Sequence, residues 1–197
     1  MYIGENTCVI KGAVVEQMTT NDFFDFCNAN KTLNFERDEN GNIILMSPTG
    51  SLTSIYNGDI FFQLKSWNNK HKLGVVFESN GGFTLPDGSQ RAADVAWVTN
   101  NKWNALSQEE KEKFAPLCPE FVIELRSKSD ELNYLQKKME MWISNGALEA
   151  WLIDPIEENV YIYSKQTNYK LIPNFSEIIS TTNVLQGFQL NLSELKN

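Results

Sequence analysis

FVIELRSKSDELNYLQKKMEMW, from Phe121 to Trp142, places an acid inside an apolar run. Phe121 to Leu125 reads as a short buried strand, and Asp130 to Ser144 as a helix closed by Asn145-Gly146, a good C-terminal signal. Successive side chains along a strand point to opposite faces. Phe121, Ile123 and Leu125 then share one face, and Val122, Glu124 and Arg126 the other. A charge buried without a partner costs several kcal/mol. Glu124 and Arg126 are therefore expected at a wet edge, paired with each other, or bound to something.

The chain has 197 residues and a hydrophobic share of 42%. That is enough for one domain with a real core, so residues 1–197 are expected to form a single unit. No apolar run approaches the ~18 residues of a membrane span. The opening MYIGENTCVIKGAVVEQ lacks the basic and apolar blocks of a signal peptide. Cys8, Cys27 and Cys118 are scattered and odd in number, which suggests reduced thiols and a cytoplasmic protein. The lone histidine, His71, sits in a polar run and reads as a surface residue. Structural zinc sites and histidine-based triads lack ligands and bases. The net charge of −8 argues against a broad basic surface for nucleic acid, so any such chemistry must rest on a local site.

Outward from the central stretch, the pattern alternates between helices and short strands. Thr20-Asn21-Asp22 before FFDFC reads as a helix start. Asn40-Gly41 marks a turn, followed by a strand over Ile43–Met46. From about Ser54, the residues Ile60, Phe61, Leu64 and Trp67 fall near one helical face. Strands are expected at Gly74–Phe77, Gly82–Leu85 and Ala93–Val98. Ser107 opens a short charged helix, and Trp151–Ile153 with Val160–Tyr163 reads as a hairpin around Asp154-Pro155. The tail reads as an edge strand and a short turn. The expected fold class is α/β (α+β), a central mixed β-sheet flanked by helices.

Asp94 is a second lone acid, in the run Ala92–Val98. Two acids on neighbouring strands can form a hard-oxygen site for a magnesium-like ion, which can activate water and neutralise charge on a phosphate. With one histidine available, this is the metal chemistry the chain could most easily build. Asp87, in Pro86-Asp87-Gly88, reads as a turn former. Trp67, Trp97, Trp142 and Trp151 fall on periodic apolar positions and read as core.

An acid on one strand and an E-x-basic triplet on the next, here Asp94 with Glu124-Leu125-Arg126, is the pattern of the PD-(D/E)XK nuclease superfamily. Further text is more specific: MSPTG at Met46–Gly50, LGVVF at Leu73–Phe77, WNAL at Trp103–Leu106, LCPEFVIELRSKSD at Leu117–Asp130, LQKKM at Leu135–Met139 and WLIDP ending at Pro155. Together these resemble the Uma-type family of inferred restriction endonucleases, long known as a domain of unknown function, from about Thr19 to Leu192. The resemblance implies a restriction-endonuclease-like core and a magnesium- (or manganese-) dependent endonuclease acting on DNA, with Asp94 and Glu124 as metal ligands. The family commonly has a proline before the first acid, where this chain has Ala93. The triplet lysine is replaced by Arg126, which stays protonated and cannot take a proton from water, although it can clamp a phosphate. Lys138 matches a family lysine on the following helix. Glu36 matches a recurrent family acid and reads equally as a surface charge before a turn, and Asn57 matches a family polar position that could contact substrate or cap a loop. Glu78, at the end of its strand, is a candidate third acid.

Stepping ~100° per residue from Asp130 clusters Leu132, Leu135, Met139 and Trp142 on one stripe, with Lys137 opposite and Lys138 at the border between core and water. A lysine there could reach the strand ends along its aliphatic stem. Two other functions remain: an inactive nuclease-fold binding or scaffold protein, and a hydrolase for another metal-chelating substrate such as a nucleotide. A basic cleft beside Asp94 and Glu124 would favour the enzyme, an acidic or occluded one the scaffold, and a small closed pocket the nucleotide hydrolase. A homodimer follows only by analogy with enzymes that cut both strands.

Overall fold

The computed structural model describes residues 8–175, 178–182 and 184–195. In chain order they form β1 (Cys8–Ile10), α1 (Ala13–Glu16), α2 (Thr20–Ala29), β2 (Asn34–Arg37), β3 (Ile43–Met46), α3 (Ser51–His71), β4 (Gly74–Glu78), β5 (Gly82–Thr84), β6 (Gln90–Ala92) and β7 (Val95–Thr99). Then follow α4 (Asn100–Ala105), α5 (Gln108–Lys111), β8 (Phe121–Leu125), α6 (Leu132–Ser144), β9 (Glu149–Asp154), β10 (Asn159–Ser164), β11 (Thr167–Pro173), β12 (Ile178–Ser180) and β13 (Gln189–Asn191), closed by a 3-10 turn at Leu192–Leu195.

The central sheet has the order β11-β10-β9-β8-β7-β4. β8 and β9 run parallel and the other pairs antiparallel, so the sheet is mixed, as the sequence suggested. Parallel neighbours need a crossover, and α6 supplies it. Every residue of β8 is buried. Phe121, Ile123 and Leu125 pack with Tyr56, Ile60, Leu64 and Trp67 of α3 on one face. Val122 packs with Leu135, Met139 and Trp142 of α6 on the other. The tryptophans anticipated as core are buried, and His71 is exposed, with its ring stacked on Trp67.

A second sheet, β1-β3-β2-β6-β5, is antiparallel throughout. Five of the strands, β1, β2, β6, β11 and β12, were not anticipated. β2 and β6, NFER and QRA, carry too few apolar residues for an alternating signal. The strand expected over Ala93–Val98 starts at Val95. Asp94 lies in the bend where the chain leaves β6 in one sheet and enters β7 in the other. Helix α2 is capped by Thr19, one residue earlier than read, through a reciprocal box with Asp22. Asp87 is a turn former as expected: its carboxylate accepts from Ser89 N–H and from the Asn145 amide.

Ile123 is fully buried between α3 and the sheet. Ile123→Ala should cost about 2–5 kcal/mol in denaturant unfolding. Val14, 82% exposed, should tolerate alanine within about 0.5 kcal/mol.

Candidate active site

The site forms where the two sheets meet α6. β7 and β8 pair antiparallel with Val95 opposite Ile123, so Asp94 lies across from Glu124 at the end of the ladder. Cross-strand partners share a face, and this face is the one covered by α6. Asp94 Oδ2 accepts from Leu125 N–H at 2.7 Å, and Oδ1 from Asn57 Nδ2 at 3.3 Å. Glu124 Oε1 accepts from Trp142 Nε1 at 2.9 Å.

Lys138 stands in the middle. Its Nζ lies 3.0 Å from Glu124 Oε1, 3.0 Å from Glu36 Oε1 and 3.0 Å from the Ala92 carbonyl oxygen. Glu36 faces Arg91 across the β2–β6 pair and binds its Nη1 at 3.0 Å through Oε2, while its Oε1 also accepts from Ala92 N–H at 3.1 Å. All three ammonium partners are thus backbone or carboxylate oxygens from different strands.

This arrangement departs from the sequence expectation for Lys138. The helical wheel put it at the border with water, yet it is only 7% exposed. The stripe was read correctly, since Leu135, Met139 and Trp142 are buried and Lys137 is exposed. What the wheel lacked was the second sheet, which covers the border. Glu36 changes in the same way. Read in part as a surface charge before a turn, it is 2% exposed and ion-paired.

Arg126 and Glu78 are not brought into the site. Arg126 points to the same side of the sheet as Glu124, but its Nη1 binds Asp154 at 2.8 Å and its Nε the Asp130 carbonyl at 3.2 Å. Asp154 is fully buried and needs that positive partner, so the guanidinium is spent on structure. Glu78 is exposed and accepts from the side chains of Ser79 and Asn80. Sequence reasoning missed Arg91, the main chain of Ala92 and the polar tip of Trp142. A lone arginine just before the AADVAWV run was the one available signal.

Charge is distributed unevenly among these groups. Burial opposes ionisation of Glu36, but Lys138 and Arg91 outweigh it and hold its carboxyl below the usual range. Burial raises Asp94, with partial relief from the Leu125 N–H. Burial also pushes Glu124 up to about 8; Lys138 opposes the shift, and the nearby Asp94 and Glu36 carboxylates add to it. Lys138 is held protonated: burial would lower its pKa, but Glu124 and Glu36 drive it upward.

The two acids whose ionisation is least well compensated, Asp94 and Glu124, face each other. Such a pair fits a hard divalent cation. No group of three or more His, Cys, Asp or Glu suited to a metal occurs among the described residues. Two carboxylates nonetheless match magnesium, which usually keeps several waters and takes one or two carboxylates plus substrate phosphate.

None of the described helices is long and apolar enough to cross a membrane. No curated protein matches this chain. The fold is shared with the crystal structure of a "putative nuclease belonging to DUF820" from Anabaena variabilis, with a TM-score of 0.70, 19% identity, and coverage of 90% of this chain and 97% of that one. The family described as "Putative restriction endonuclease" (Uma2) matches residues 20–193. With that match running through the central sheet and every residue of the Lys138 cluster, the chain belongs to the family described as "Putative restriction endonuclease".

Proposed function

We propose that the protein is a magnesium- or manganese-dependent endonuclease that hydrolyses phosphodiester bonds in DNA, and that residues 1–197 act as one restriction-endonuclease-like domain. The observation that carries this reading is the position of Lys138, with its ammonium 3.0 Å from Glu124 and the Asp94–Glu124 pair beside it. Asp94 and Glu124 would hold the ion. When bound, the ion supplies charge neutralisation for the phosphate and lowers the pKa of its water. Lys138, kept charged, orients the attacking water and stabilises negative charge on the phosphoryl oxygens. Glu36 positions Lys138. Asn57 orients Asp94 through its amide. Arg126 fixes the loop after β8 rather than clamping phosphate. In the net reaction a water oxygen bonds to phosphorus, a bridging P–O bond breaks, and an alcohol and a phosphate monoester leave.

The test is a cleavage assay with magnesium and manganese. Glu124→Gln should be inactive yet folded, because the acid it replaces is already disposed to be neutral. Activity retained in that variant would remove Glu124 as a ligand, and wild-type protein inert on all DNA would favour the non-catalytic scaffold. Lys138→Ala should lose cleavage and about 3–5 kcal/mol of stability, since it leaves the buried Glu124 without its cation and Glu36 with Arg91 alone. Lys137→Ala should change neither.

Metal binding should depend on pH. The folded pKa values of Asp94 and Glu124 lie above their ordinary values. The metal-free protein therefore binds protons more tightly than its unfolded chain, and loses stability as pH rises from the ordinary carboxylate range through about 8. A cation competes with those same protons, so the thermal stabilisation by manganese should grow from about pH 6 to about pH 9. Melting curves with and without the ion measure this. A response flat across the range would mean that the ion binds elsewhere.

A further inference from the structure

The cavity that contains Asp94 and Glu124 extends well beyond them, to about 490 Å³. That is within the ~300–1,000 Å³ of pockets that enclose small ligands. Its lining is of two kinds. Asp94, Glu124 and Lys138 make it ionic. Phe24 of α2, Phe35 of β2, Phe114 ahead of β8 and Tyr134 of α6 make it aromatic. All four rings are half-buried, so each keeps part of its surface open. Phe24 meets Phe114 edge-to-face at 5.3 Å between centroids. Tyr134 lies one helical turn before Lys138, on the same side of α6. Lys31, exposed on the segment between α2 and β2, also lines the cavity, and none of the described ion pairs involves it.

The reacting groups are recessed. Glu124 and Lys138 are 4% and 7% exposed. A phosphate must enter the cavity to reach them, which a flexible strand does more readily than a stiff duplex. The chain's net charge of −8 also opposes the long phosphate track a duplex presents. A single strand bends into the recess and carries a lower charge density than a duplex. An unpaired base offers a flat π-face to the phenylalanine and tyrosine rings, and the flexible backbone lets one phosphate reach the carboxylate pair.

We propose that the substrate of this site is an unpaired DNA strand, with one base stacked among Phe24, Phe114 and Tyr134 while the adjoining phosphate enters between Asp94, Glu124 and Lys138. This rests on the metal-dependent nuclease reading above and narrows it. The aromatic end serves as a subsite that selects single-stranded over paired DNA.

The test uses the full chain and manganese with four probes: a labelled single-stranded oligonucleotide, the same sequence as a blunt duplex, the duplex with a single-stranded overhang, and a deoxynucleoside triphosphate. The single strand and the overhang should be cut at least about tenfold faster than the blunt duplex, with cleavage confined to the unpaired part. Phe24→Ala and Tyr134→Ala should each weaken single-strand binding about tenfold, the size expected for one stacked base. Binding is read by anisotropy with calcium in place of manganese. The manganese-induced shift in melting temperature should be unchanged in both variants, and Tyr134→Phe, which keeps the ring, should bind as wild type. Blunt duplex cut as fast as single strand, in an assay where Glu124→Gln is inactive, would overturn the single-strand proposal and leave the nuclease reading standing. Hydrolysis of the triphosphate with no oligonucleotide cut would overturn the strand as substrate. Wild-type protein inert on all four probes would overturn the nuclease reading itself.

Discussion

Lys138 ties three parts of the molecule together. Its ammonium leaves α6 and bonds to Glu124 in the central sheet, Glu36 in the second sheet and the Ala92 carbonyl in the strand beside Glu36. Each contact satisfies a group that could not otherwise be buried. A carboxylate taken out of water without a partner is costly, and so is an ammonium. The two sheets can close over α6 because the lysine is there, and the lysine can be buried because the sheets bring it acceptors.

The same contact leaves the charge out of balance. Glu36 is shared by two cations and stays ionised. Glu124 is buried, shares one cation with Glu36 and faces Asp94, so its proton is held more tightly. Arg126 shows the contrast. Its ion pair with Asp154 is complete, and Asp154 in turn accepts from the N–H groups of Ile156 and Glu157 at the hairpin turn.

Much of this was legible in the sequence, for a definable reason. β8 was read to the residue because its apolar run is short and sharply bounded, and the stripe on α6 because helical periodicity is strong over thirteen residues. The Asp94–Glu124 apposition was readable from two lone acids in apolar runs. The second sheet was poorly legible. In β2 and β6, Glu36 and Arg91 are buried only because they neutralise each other 55 positions apart, so neither leaves an apolar trace in its own neighbourhood. Without that sheet Lys138 looked like a border residue and Glu36 in part like a surface one. The aromatic lining was hidden for a related reason: Phe24, Phe35, Phe114 and Tyr134 come from four separate elements.

Ala92 enters the cluster through its main chain alone, with the N–H given to Glu36 and the carbonyl to Lys138. Leu125 does the same for Asp94. Part of the site is therefore written in peptide groups, which every residue except proline supplies in full. At these positions the contact depends on backbone shape, even where, as at Leu125, the side chain has its own place in the core. A change of residue at position 92 that kept the backbone path would still present the same acceptor to the lysine, so comparison of letters alone would pass over this contact.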